Sequence, residues 1–161
     1  MSRPRTVGDL GASVGYALKQ AGTALRAAMD AELRPLGLTV SQYSCLEVLA
    51  QRPGASNADL ARATFVTPQA MHGVLRGLED RGLLSRPAAA AHGRALPSEL
   101  TADGRRALRA ASTRVRRVED RMLAPLDDAG RQQLLSGLAA CAAALAPPST
   151  GGAAGTGSTV G

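Results

Sequence analysis

Gln69, His72, Gly73 and Arg76 recur three and four residues apart in the run TPQAMHGVLRGLEDRG (67–82), so a helix would carry them on one side, together with Asp80. That set can read a DNA major groove. Arg forks onto O6 and N7 of guanine, and Gln pairs with adenine. His and Thr donate or accept at bases or phosphates, and Gly73 leaves room for close backbone approach. Met71, Val74, Leu75 and Leu78 fall on the opposite side, facing inward. The same pattern also describes an ordinary solvated helix face. The loop AAAAHGR (88–94) shifts the balance, because it is small and tipped with His92 and Arg94. An Arg-bearing loop beside a reading helix can enter a narrow minor groove. Read alone, it is a hairpin turn with an incidental Arg.

The flanking sequence supplies a scaffold. Residues 9–34 predict a helix with one apolar stripe (Leu10, Val14, Leu18, Ala21, Leu25, Met29, Leu33), ended by Pro35 and Gly37. Thr39 and Gln42 form a T-x-x-Q capping box, flanked by Leu38 and Tyr43 as a hydrophobic staple. The second helix runs to about Gln51 with Cys45, Leu46 and Leu49 inward, and Arg52-Pro53-Gly54 stops it. Ser56 is the N-cap of a short third helix ending near Ala63, with Asp59 in its first turn. Thr67 caps the fourth helix, Pro68 takes its first position, and Gly82 closes it after about Arg81.

Leu83–Pro87 and Ala95–Leu100 are short candidate strands around the loop, the second weakened by Pro97. Thr101 caps a fifth helix whose heptad seam (Leu108, Ala111, Val115, Val118, Met122) suits packing on another helix. Its other faces carry Arg105, Arg106, Arg109, Arg114, Arg116, Arg117 and Arg121. A sixth helix from about Asp128 repeats the spacing with Leu134, Leu138, Cys141 and Leu145, and Asp127-Asp128 reads as its cap. Both cysteines, Cys45 and Cys141, are assigned to inward faces. Residues 1–8 are expected to be flexible, and the uncharged tail 146–161 disordered. The short helix, tight connection, second helix and hairpin of 56–94 follow the order of a winged helix-turn-helix.

Composition narrows the function classes. The 161 residues fit one domain, and the formal charge is +6 with only Lys19 as lysine, so 18 of the 19 basic residues are arginine. Such a balance points first to nucleic acid, then to an acidic membrane surface, then to an acidic protein; genomic arginine bias is the bland alternative. Aromatics at 2% disfavour binders that stack single strands. No signal peptide reads at the start, and no run approaches the ~18 apolar residues of a membrane span. Two distant cysteines suit a reducing compartment. Leu18 before Lys19 excludes a phosphate-binding G-K loop, and no G-x-S-x-G or H-E-x-x-H occurs, so no catalytic residue is assigned. Two histidines and two separated cysteines do not make a tetrahedral metal site, and no cofactor is expected.

Leu38-Thr39-x-x-Gln42-Tyr43, the run 67–84, Arg86-Pro87, the loop ending in Arg94, and Leu100-Thr101-x-x-Gly104 stand in the order and spacing of the multiple-antibiotic-resistance regulator (MarR) family, which the chain resembles over about residues 10–145. The resemblance implies a mainly α fold: a winged helix-turn-helix lobe (38–101) with a two-stranded wing, and dimerisation helices (9–37 and 102–145). It implies a cytoplasmic, homodimeric repressor of pseudo-palindromic double-stranded DNA, relieved by a small amphipathic or aromatic effector. Carried over, Thr67, Pro68, Gln69, His72 and Arg76 lie on the DNA side, Ser56 and Asn57 approach phosphate, and Arg94 is the wing arginine, with Arg86 and His92 beside it. Tyr43 lies near the family's effector cleft, although the staple is the preferred reading for it. The chain departs from the pattern in three places. His92 replaces the wing aspartate, Gly73 a basic residue, and Pro97 sits in the second wing strand. These departures motivate the alternative of a helical dimer that binds a ligand or protein and has lost specific DNA recognition.

Overall fold

Side-chain caps set where most of the helices begin. The computed structural model describes residues 9–85 and 98–146. In chain order these form α1 (Val14–Leu33), α2 (Val40–Gln51), α3 (Asn57–Ala63), α4 (Pro68–Asp80), β1 (Leu84–Ser85), β2 (Glu99–Leu100), α5 (Ala102–Leu123) and α6 (Asp128–Leu145). Thr39 and Gln42 make the reciprocal capping box of α2, and Ser56 and Asp59 that of α3. Thr67 caps α4 by accepting from Ala70 N, with Pro68 at the first helical position where its missing N–H costs nothing.

One element departs from its sequence-based expectation at the start. The helix predicted from residue 9 is broken: a 3-10 turn, Leu10–Ala12, precedes α1. Ser13 holds extended backbone and caps α1 by accepting from Tyr16 N, while Asp9 caps the turn. Local side-chain oxygens therefore outcompete continuous helix here. A second 3-10 turn, Arg34–Leu36, follows α1 and ends at Gly37 in the left-handed region (φ +66°).

Two compact units divide the chain, the first ending at Met122 and the second beginning at Leu123. The core of the first is aliphatic: Leu33, Leu38, Cys45, Leu46, Leu49, Leu60, Met71, Leu75, Leu78, Leu84, Leu100 and Ala111 are all buried. Tyr43 and Val115 pack against it half-buried. The apolar stripe of α1 is thus only partly used. Leu33 is buried and Met29 packs on the core, whereas Leu10, Val14 and Leu18 are exposed. Along the α5 seam Leu108, Ala111 and Val118 are buried and Val115 packs on the core, while Met122 is exposed. The heptad spacing reports an apolar stripe, and different lengths of that stripe meet different neighbours. Ala21, Ala24, Leu25 and Ala28 of α1 face Val118 and Met122 of α5 across an open, mainly apolar groove of about 280 Å³.

In the second unit, Asp127 caps α6 by accepting from Gly130 N at 2.8 Å. No residue of α6 is buried, and Leu134, Leu135, Leu138 and Leu145 are exposed. Cys141 is exposed too, which corrects the inward assignment. No helix among the described residues is long and apolar enough to cross a membrane.

The strands pair antiparallel, Leu84 with Leu100 and Ser85 with Glu99. Thr101 stitches them to α5: its hydroxyl donates to Gly82 O at 2.7 Å and accepts from Gly104 N at 3.0 Å. Gly104 is required because a Cβ there would sit 2.0 Å from Leu83 O, a backbone atom. Gly104→Ala is expected to destabilise the fold by roughly 3 kcal/mol in urea unfolding, an overpacking effect that no rotamer can relieve. Phe65, between α3 and α4, has the opposite sign. It holds φ +57° and is 95% exposed, so Phe65→Gly loses no burial and relieves left-handed strain. The same measurement should show it about 0.5–1 kcal/mol more stable, after the added unfolded-state entropy of glycine.

Candidate nucleic-acid interface

Burial divides α4 along its length. Met71, Leu75 and Leu78 are buried and Val74 is half-buried, while Gln69, His72, Gly73, Arg76 and Asp80 are exposed. The outward side carries the donors and acceptors singled out by spacing. Thr67 is exposed at the helix entry, and its hydroxyl, which accepts from Ala70 N at 3.1 Å, still has a hydrogen to donate. A Cβ at Gly73 would meet nothing within 4 Å, so the gap opens outward and is not imposed by internal packing. Gly77 differs, because a Cβ there would lie 3.0 Å from Nε2 of Gln42.

Ser56 and Asn57 stand at the start of α3, beside the entry of α4, and both are engaged. The Ser56 hydroxyl donates to Asp59 Oδ2 at 2.6 Å and accepts from Asp59 N at 3.1 Å. Hydrogen bonds from Ser56 and Arg62 hold the Asp59 carboxyl below the usual carboxylate range. This contribution is present above pH ~4 and fades as acid protonates Asp59. Asn57 Nδ2 lies 3.4 Å from Pro68 O and 3.3 Å from His72 Nε2.

Two contacts that sequence reading missed fix the far end of α4. The Arg81 guanidinium, at the helix C-cap, donates to Gly37 O and, at 3.1 Å, to Leu36 O. Nothing local in the sequence marks this pairing, because the partners are 44 and 45 residues away. Among the described residues Arg62 pairs with Asp59 and Arg106 with Asp103 within their own helices, and Arg114 of α5 pairs with Glu32 of α1 at 3.4 Å. Arg86, His92, Arg94 and Pro97 lie outside the described residues.

Tyr43 packs half-buried on the core, and burial pushes its phenol above its ordinary value. Ser112 and Gln51 donate to Glu47 beside it, at 3.2 and 2.8 Å. Among the described residues no group of three or more His, Cys, Asp or Glu could hold a metal ion. Cys45 is buried on α2, and desolvation raises its thiol to about 12.

Comparison with known proteins agrees with this layout. A model of the MarR family matches residues 36–95. The HTH-type transcriptional repressor Rv2887 of Mycobacterium tuberculosis is 50% identical over 115 residues, 71% of this chain and 83% of that protein. The crystal structure of Rv2887 with salicylic acid has a TM-score of 0.69 at 43% identity, covering 84% of this chain and 99% of the other. The structure of Rv2887 with DNA has a TM-score of 0.68 at 42% identity, covering 81% and 98%. CouR from Rhodococcus jostii RHA1, bound to p-coumaroyl-CoA, has a TM-score of 0.75 at 26% identity, covering 84% and 95%.

The Cys45 environment has a measurable consequence. In the native protein at pH 8 Cys45 should resist iodoacetamide, and mass mapping should find it labelled only after denaturation. Its thiol form stabilises the fold fully below pH ~9, and that stabilisation should be lost as pH rises toward about 12.

Proposed function

The chain belongs to the MarR family, and on that premise we propose that it is a cytoplasmic, homodimeric repressor that binds a specific double-stranded DNA site and is released by a small ligand. The carrying observation is the division of α4, whose polar side faces out because its apolar side is locked in the core. In this reading Arg76 forks onto guanine, while Gln69 and His72 contact neighbouring base edges. Thr67 and Pro68 bring the helix entry to the DNA, and Ser56 lies toward the phosphates. The family resemblance assigns Arg94, with Arg86 and His92, to the minor groove.

The dimer reading rests on uncovered apolar surface. The exposed leucines of α6 and the α1–α5 groove are each left open in one chain, and a second copy would cover both kinds of surface. A dimer would place two α4 helices about one DNA turn apart on a pseudo-palindrome. It would carry twice the formal charge of +6, so phosphate attraction would supply much of the affinity. Rv2887 bound to salicylic acid and CouR bound to p-coumaroyl-CoA support a small aromatic or amphipathic effector for this chain.

The test is duplex selection from a random pool, followed by fluorescence anisotropy. Affinity should fall about 10³–10⁵-fold between 50 and 200 mM salt if six to ten phosphates are contacted. Arg76→Ala should cost about 1–3 kcal/mol and relax preference at one base position. A parent protein that binds selected and random duplexes equally would instead favour the reading in which specific recognition has been lost.

A further inference from the structure

The amide of Asn57, the first residue of α3, reaches across to α4. Its Nδ2 lies 3.4 Å from Pro68 O and 3.3 Å from His72 Nε2, and its Oδ1 is buried without a hydrogen-bond partner. A carbonyl oxygen can only accept, so the NH₂ group must face Pro68. Flipping the amide would set Oδ1 against that oxygen. The same NH₂ faces His72 Nε2, which must therefore be the accepting nitrogen. The ring proton of neutral His72 then sits on Nδ1.

We propose that Asn57 is a positioning residue that holds His72 as its Nδ1–H tautomer and so makes the ring a hydrogen-bond donor toward the major groove. This rests on the DNA-facing assignment of α4. His72 is exposed on the side that also carries Gln69 and Arg76. With Nε2 turned to Asn57, Nδ1 is the nitrogen left for an outside acceptor. Guanine offers N7 and O6 there and adenine offers N7, whereas cytosine presents only its N4 amine donor. A fixed donor prefers a purine to cytosine at the contacted position; a ring able to switch tautomer would accept either. The unpartnered Oδ1 fits this role, because the amide is oriented by what its nitrogen serves and not by its oxygen.

The full-length protein tests this in two ways. The chain has two histidines, so the ring ¹⁵N signals of His72 can be assigned with His72→Ala. At a pH where the ring is neutral, the parent should show the Nδ1–H pattern. Asn57→Leu keeps bulk but cannot donate, and should move the signals toward the Nε2–H pattern. An Nε2–H ring in the parent, or signals unchanged in Asn57→Leu, overturns the proposal; if that variant does not fold, the parent ring decides. On a selected duplex, His72→Ala and Asn57→Leu should each lose about tenfold discrimination at the same base pair. The double variant should lose no more than His72→Ala alone. Additive losses, or an Asn57→Leu loss spread evenly over all sequences, overturn the positioning role. If the parent binds no duplex, the DNA assignment of α4 and the base-edge role fall together, while the ring signals still decide whether Asn57 sets the tautomer.

Discussion

The DNA-facing reading of this protein depends on the burial of Met71, Leu75 and Leu78 on one side of α4. A helix has one rotational freedom about its axis, and fixing three residues at four- and three-residue spacing removes it. Burying such side chains contributes about 1.5–3 kcal/mol each, far more than exposed polar groups contribute on the other side. The core therefore decides where Gln69, His72 and Arg76 point. These can be chosen for what they touch outside the protein, because they are not needed to hold the helix.

Rotation alone does not place a reading helix; its two ends must be held as well. Thr67 fixes the entry through Ala70 N, and the Asn57 amide ties the first turn to α3. Arg81 fixes the exit by bridging to the two carbonyls that follow α1, where left-handed Gly37 turns the chain. Gln42 works on both sides, accepting from Thr39 N while its amide nitrogen packs over Gly77. Side chains of α2 and α3, with the two carbonyls that follow α1, thus set the pose of α4. The strand pair is anchored separately, through Thr101 and the backbone contact that Gly104 permits.

Much of this was legible in the sequence, because the relevant signals are local. Thr39, Ser56 and Thr67 announce helix starts by spacing alone, and the inward face of α4 follows from its period. The illegible parts share a cause. The Arg81 bridge and the Asn57 strut join residues distant in sequence, and nothing in either neighbourhood encodes the partner. Periodicity identified the apolar stripes of α1, α5 and α6 but not what covers them. For this reason Leu18 and Cys141 are exposed although their spacing matches that of Leu33, which is buried. The break at Ser13 was hidden by the stripe itself, which continues across a residue whose hydroxyl starts a new helix.

Among the described residues, two breaches of local rules lie close to the entry of α4. Left-handed backbone at residues 37, 54 and 82 is met by glycine, the residue that adopts it without strain. At residue 65 it is met by phenylalanine, fully in water. The turn leaves no alternative. Thr64 Oγ1 is bonded to Leu60 O, Phe65 N to Arg62 O, and Val66 N to Ala61 O, so the chain must reverse within three residues to bring Val66 onto the core and Thr67 to its cap. A few residues away, Asn57 leaves a buried oxygen unpaired to serve Pro68 and His72. Strain at a tight turn and an orphaned acceptor persist only where the surroundings over-determine them, and such departures concentrate at functional positions. Their meeting at the entry of the helix with the outward Gln, His and Arg is independent of the charge and spacing arguments, and it points to the same place.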